Sequence, residues 1–241
     1  MLTSPKNPKI QRIVRLQSQA RFRRKEQVFV IEGVRLAEEA LYAGYQPELV
    51  LHTENLSERG HQVIERFQSR GVHIQAVTPH VMKNASDTQS PQGILAVLPI
   101  SERAIPSELN FILIADGLRD PGNLGTLLRT ALAAGVQLVL LPPGTVDPFA
   151  PKTVRAAMGA HFHLPVINCS WGDISKLTDP LQIFLANAHA ELSYYSVDFS
   201  NPLALIIGSE ADGTGSEANS LKTTRVKIPM PGYAESLNAA V

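Results

Sequence analysis

Three short stretches carry the residue types that could do chemistry. In the first, DPGNLGTLLRTALAAG (residues 120–135), an arginine, Arg129, stands among residues that otherwise suit a core. Leu124, Leu127, Leu128, Ala131 and Leu132 recur at helical spacing, and Arg129 falls well off the centre of that stripe. A guanidinium offers a rigid two-pronged donor suited to phosphate or carboxylate. Asn123, after Asp-Pro-Gly, is a good helix N-cap, and a helix start that follows a strand can bind an anion. A plain capped core helix accounts for the same residues. In the second stretch, GSEADGTGSE (208–217), Gly208, Gly213 and Gly215 allow the backbone to approach a ligand closely, and Glu210 could orient a polar group. The stretch reads equally well as a tight surface turn. In the third, IPMPGYAESLNAAV (228–241), Ser236 reads as an N-cap with Asn238 two residues inside.

Other chemistry has weaker support. His161 and His163 form an H-x-H with no third ligand in view, so they read as a packed or edge pair and no metal site is expected. Cys169 is the only cysteine and lies in the apolar run LPVINCS, which suits a packed thiol more than a nucleophile. A single cysteine rules out an internal disulfide and fits a reducing cytoplasm.

The elements that must position these loops alternate between strand and helix. In the first half QVFVIEG, ELVLHTE, VHIQAVT and GILAVLPI read as strands, with helical patterns near 34–43 and 57–70, Ser57 as a cap, and a further segment from Pro79. The polar, proline-bearing stretch 99–108 marks a boundary, giving domains 1–104 and 105–241. In the second half FILIAD, QLVLLPPG, HFHLPVI, LQIFLANA, LALIIGSE and RVKIPM are near-continuous apolar runs, which suit a parallel sheet covered on both faces. Ligands of such sheets bind in loops at the carboxyl ends of strands, where the three stretches fall. The fold class is therefore α/β, a smaller α/β domain followed by a parallel-sheet domain.

Composition points to a soluble globular chain, with no run near the ~18 apolar residues of a membrane helix. The 22 basic and 22 acidic side chains balance, but unevenly. Lys6, Lys9, Arg12, Arg15, Arg21, Arg23, Arg24 and Lys25 all fall in the first 25 residues, which hold no acid. Such an arm suggests a polyanionic partner, although a solvated amphipathic helix would look the same.

Taken together, Asn123-x-Gly125-x-x-x-Arg129, Gly208-Ser-Glu210-x-x-Gly213, and Ile228-Pro-Met-Pro-Gly232 leading into Ser236-Leu237-Asn238 resemble the three ordered motifs of the SpoU (TrmH-like) RNA methyltransferases of the SPOUT superfamily. The segment VDPFAPKTVRAAMGAHFHLPV is similar to the region between the first two motifs, and SPKNPKIQRIVRL with FVIEGVRLAEEAL resembles the substrate-binding domain that precedes the catalytic domain in many members. Ser209, Ala211 and Ala239 depart from the common pattern, Ser209 standing where Asn is frequent. Family members continue through a further turn or more of helix, so the resemblance implies that the sequence is cut short after Val241.

The resemblance implies a deep trefoil knot in the C-terminal domain, a fold that periodicity alone would not suggest. It implies S-adenosylmethionine as cofactor, held by Gly208, Ile228 and Leu237, so that bulk at Gly208 would block it. Methyl transfer to a ribose 2′-hydroxyl of structured RNA follows, with Arg129, Asn123, Glu210, Ser236 and Asn238 as the catalytic set. An arginine stays protonated and is a poor base but a good phosphate ligand, so Arg129 reads as a clamp. Lys6, Lys9, Arg12, Arg15, Arg23 and Arg24 are the expected RNA contacts. The resemblance also implies a cytoplasmic homodimer and leans towards large-subunit ribosomal RNA, with transfer RNA as the alternative. A nucleotide-binding oxidoreductase would share the α/β pattern but lacks G-x-G-x-x-G after the first strand of either half. A non-catalytic RNA-binding relative would explain the basic arm but not the presence together of Arg129, Glu210 and Asn238.

Overall fold

The computed structural model describes residues 1–100, 104–209, 213–234 and 236–240. Contacts divide it into two compact units, Met1–Glu102 with Phe149–Phe162, and Arg103–Pro148 with His163–Val241.

The first unit opens with α1 (Pro8–Ser18), started by Asn7, whose side chain accepts from the Lys9 amide, and by Pro8, which has no amide to leave unpaired. After α1 come α2 (Ala20–Glu26), β1 (Val28–Glu32), α3 (Val34–Tyr42), β2 (Leu49–His52), α4 (Glu58–Ser69), β3 (Ile74–Ala76), α5 (Pro79–Ala85) and β4 (Ile94–Pro99). Ser57 caps α4 as its sequence position suggests. The sheet runs β1-β4-β2-β3, with β4 antiparallel to both neighbours and β2 parallel to β3. Alternate residues of each strand face opposite sides. Val28, Val30, Leu95 and Val97 pack with Ile10, Ile13 and Leu16 of α1 and with Val81 and Met82 of α5. Phe29, Ile31, Ile94 and Ala96 pack with Leu36, Leu41, Val63 and Phe67 of α3 and α4. The basic arm is thus not a loose tail, because α1 is part of the core.

The second unit contains β5 (Phe111–Ala115), α6 (Pro121–Ala133) and β6 (Leu138–Leu141). The chain then contributes α7 (Pro151–Ala157) to the first unit, where Phe149, Val154 and Phe162 join the core around Phe29 and Tyr45. The Phe29–Phe149 and Tyr45–Phe162 ring centroids lie 5.0 and 5.1 Å apart. Returning to the second unit, it forms β7 (Val166–Asn168), α8 (Trp171–Thr178), β8 (Gln182–Ala186), β9 (Leu192–Ser193), β10 (Leu203–Ile207), α9 (Ser216–Ser220) and β11 (Thr224–Lys227). The described strands form one parallel sheet of order β7-β6-β5-β10-β8-β11-β9. Ile112, Ile114, Leu138, Leu140, Leu185, Ala204 and Ile206 are buried in its core, as the continuous apolar runs require. HFHLPVI is shorter as a strand than it reads, because Ala160–Phe162 is a 3₁₀ turn and only Val166–Asn168 pairs.

Candidate functional site

Parallel strands end on one edge, so the turns after β5, β10 and β11 open on the same side of the sheet. Register places Ala115, the last residue of β5, opposite Ile207, the last of β10, and the Asp116 amide donates to the Ile207 carbonyl at 2.8 Å. Gly117, with φ +65°, turns the chain away from the sheet. Thr145, from the loop after β6, donates its hydroxyl to the Ala115 carbonyl and accepts from the Gly117 amide, at 2.8 and 3.1 Å.

The N-cap of α6 is Asp120 and not Asn123. The Asp120 carboxylate accepts from the Asn123 amide at 2.9 Å, and Pro121 occupies the first turn. An aspartate one residue before a proline satisfies the capping rule better than an asparagine inside the first turn. The Asn123 side chain is thereby available for a different contact. Leu124, Gly125, Leu127, Leu128 and Ala131 are buried, and Arg129 lies exposed on the opposite face with Thr126 and Thr130. No side-chain hydrogen bond or ion pair of Arg129 occurs among the described residues.

The loop after β10 closes on itself. Ser209 and Gly213 exchange two backbone hydrogen bonds of 2.9 Å. A Cβ on Gly208 would overlap the Gly213 carbonyl and come within 2.7 Å of the Thr214 nitrogen. Only glycine fits, and bulk there would break the loop's own backbone before meeting any ligand, so a Gly208 substitution does not isolate cofactor blocking. Gly215 follows, with its amide donating to Asp116 Oδ2 at 2.7 Å and its carbonyl accepting from Asn219 Nδ2 at 2.8 Å. Asp116 is 5% exposed. Burial pushes its carboxyl above the ordinary range, the Gly215 amide opposes that rise, and Glu217 adds to it. Glu210 lies outside the described residues.

After β11, Ile228 and Leu237 are both exposed apolar side chains, at 51% and 40%. Ser236 starts no helix in the described residues. Asn238 instead accepts from the Ala240 amide at 2.8 Å and donates from Nδ2 to Asn123 Oδ1 at 3.1 Å. Two polar residues 115 positions apart, one from the first stretch and one from the third, are thus brought together.

The basic residues of the first unit divide by environment. Arg23 is 4% exposed and donates to the Leu16 and Gln17 carbonyls, closing the end of α1, so it is withdrawn from the surface set. Arg12 is ion-paired with Glu26 and Glu48. Arg15 lies over the Phe22 ring at 4.0 Å, and Lys9 contacts His73. Lys6, Lys9, Arg15 and Arg24 are exposed, as are Arg21 and Lys25. The H-x-H pair does not share a strand face. His161 is buried against Phe149 in the first unit, and His163 is exposed in the second. No group of three potential metal ligands occurs among the described residues. Burial, with Asp173 nearby, pushes the Cys169 thiol up, which disfavours the nucleophilic thiolate.

Sequence reasoning missed Asp116, Asp120 and Thr145. Asp120 was legible from its place before Pro121. Asp116 closes an apolar run in FILIAD, but nothing near it in sequence names Gly215 as its partner.

The chain is similar to known proteins along most of its length. Residues 110–241 match the SpoU rRNA Methylase family, and residues 7–96 match the MRM3-like substrate binding domain. The chain is 34% identical to the 23S rRNA (guanosine(2553)-2'-O)-methyltransferase RlmP of Bacillus subtilis (strain 168), over 100% of this chain and 94% of that protein. An AdoMet-bound rRNA methyltransferase structure from Sinorhizobium meliloti superposes with a TM-score of 0.87 at 29% identity, covering 99% of this chain and 92% of that one. The SpoU methyltransferase AviRb from Streptomyces viridochromogenes, in complex with AdoMet, does so with a TM-score of 0.89 at 25% identity, covering 98% and 93%. With residues 110–241, more than half of its length, matched to the family's model, the chain belongs to the SpoU rRNA methylase family.

Proposed function

We propose that the chain transfers a methyl group from S-adenosylmethionine to a ribose 2′-hydroxyl of 23S ribosomal RNA. The observation that carries this reading is the Asn238–Asn123 hydrogen bond, which joins the third motif to the first turn of the arginine-bearing helix. The residues fit the cofactor. Gly208, at the end of β10, and Ile228, directly after β11, stand on strands separated only by β8, roughly 10 Å apart at ordinary strand spacing. Ile228 and Leu237 offer exposed apolar surface for a purine, and the strand-end backbone offers polar partners.

S-adenosylmethionine supplies an already activated methyl group. The protein therefore has to bring the hydroxyl oxygen in line with the carbon–sulfur bond and let its proton leave. Arg129 serves as a two-pronged clamp on an RNA phosphate, since a guanidinium does not give up its proton at ordinary pH. Asn123 and Asn238 fix each other and orient the ribose, with Ser236 and Glu210 completing the set. The trefoil knot, the pairing of two copies and a cytoplasmic location belong to the same proposal. Among the described residues no helix is long and apolar enough to cross a membrane. Arg129 faces away from its own helix's core, which suits RNA lying across two subunits.

Calorimetry with S-adenosylmethionine, followed by methylation of ribosomal RNA, tests the reading. Saturable binding and a 2′-O-methylated product are expected. Absence of binding by the intact protein removes the enzymatic assignment, and light scattering that shows only monomer at micromolar concentration removes the dimer.

A further inference from the structure

We propose that Asp116 is a positioning residue for cofactor binding, because its carboxylate holds Gly215, where the chain returns from the turn after β10. The inference rests on the cofactor site proposed above and adds a residue to it.

Ser209 and Gly213 exchange two backbone hydrogen bonds, and Gly208 is packed so tightly against residues 213 and 214 that a Cβ would not fit. These contacts brace the two described ends of the loop. Its upstream end continues β10, which is held in the middle of the sheet by β5 and β8. Its downstream end is Gly215. There the amide is held by Asp116 at 2.7 Å, and the carbonyl is held by Asn219, through Nδ2 at 2.8 Å and the backbone amide at 3.2 Å. Asn219 is itself held by Arg225 at 3.0 Å. Of these ties, the Asp116 bond alone runs from Gly215 back to β5, the strand that leads into the Asn123 turn. Asp116 therefore ties the downstream end of the second motif loop to the start of the first, beyond the β5–β10 pairing that already holds its upstream end.

A carboxylate that is 5% exposed and accepts from an amide 99 residues away has a role beyond surface solubility. Either protonation state of Asp116 can accept from the Gly215 amide, so the requirement is for an acceptor at that point and not for charge. Losing one well-made, buried hydrogen bond amounts to about a tenfold change in an equilibrium that depends on it.

The test measures S-adenosylmethionine affinity by calorimetry, the KM and kcat of methylation, and thermal stability. It uses the full chain and Asp116→Ala, Asp116→Asn and Gly215→Pro. Wild-type binding must come first; its absence would count against the cofactor site and not against Asp116 in particular. Asp116→Ala is expected to weaken affinity and raise KM about tenfold, with kcat at saturating cofactor little changed. Asp116→Asn keeps an acceptor and should restore affinity to near wild type. Gly215→Pro deletes the donor at φ −67°, an angle proline adopts without strain. It should weaken affinity in the wild-type background and add little in Asp116→Ala, because the bond is already gone. Unchanged KM and kcat in Asp116→Ala with only a lowered melting temperature would assign the residue to stability and overturn the proposal. Fully additive effects of the two substitutions would do the same. If Asp116→Ala does not fold, Gly215→Pro and Asp116→Asn decide alone: normal affinity in the first, or tenfold loss in the second, overturns it.

Discussion

Arg129 lies exposed on α6 with its aliphatic neighbours buried, so a packing role and a chemical role separate cleanly. If it were only a surface residue, Arg129→Ala would alter stability by about 0.5 kcal/mol at most and leave turnover intact. As a clamp, the same change should nearly abolish methylation while cofactor binding and fold survive. Arg129→Lys keeps the charge but loses the fork, so loss close to that of alanine would favour two-pronged recognition, and partial activity would favour simple electrostatics. Single-turnover methylation of a verified RNA substrate measures this, and wild-type rates in Arg129→Ala would return the residue to the surface. Asn123 shows how far one residue can be read from its neighbours. Its presence in the site was legible from the motif, but its local role was not, because Asp120 takes the cap and leaves Asn123 to meet Asn238.

At the scale of elements, apolar patterning located most strands and the helices α3, α4 and α6, since burial on one or both faces leaves a direct mark on sequence, whereas the short helices α2, α7, α8 and α9 were not read. β9 escaped because two residues at a sheet edge carry no period. The helix expected from Ser236 is not present among the described residues, where the Asn238 side chain instead pairs with the Ala240 amide and with Asn123. The basic arm was legible in charge but not in geometry. Arg23 looks like its neighbours in sequence, yet it is buried and holds the end of α1. Deleting residues 1–25 would accordingly remove Ile10, Ile13 and Leu16 from the core and test folding more than RNA binding. Neutralising the exposed Lys6, Lys9, Arg15, Arg21, Arg24 and Lys25 to glutamine is the cleaner experiment. If about four of them meet phosphates, the slope of log K against log salt should flatten by roughly 3 units, with cofactor affinity unchanged. Arg23→Gln should instead lower stability by about 1–3 kcal/mol through its lost carbonyl bonds and leave the slope alone. Filter binding across a salt series together with urea melts distinguishes the two, and an unchanged slope in the six-fold variant would assign that surface to solubility.

At the scale of the whole molecule, the family match spans both halves, with a substrate-binding domain over residues 7–96 and the methylase over 110–241. The linear order of those halves hides one feature, the return of Phe149–Phe162 to the first unit. Phe149, Val154 and Phe162 fill space around Phe29 and Tyr45 that no earlier residue occupies. A chain emerging from the ribosome shows its N-terminal end first. The four strands of the first sheet are all made by Pro99, yet the apolar wall they must close against is not complete until Phe162 has appeared. The nascent first unit is therefore expected to stay partly open while β5, α6 and β6 are synthesised. A fragment of residues 1–104 should reproduce that waiting state, binding a hydrophobic dye and melting without a sharp transition, whereas a fragment that extends past Phe162 should recover cooperative melting in its first unit. Sharp, dye-free unfolding of the shorter piece would show that the late segment is dispensable for closure.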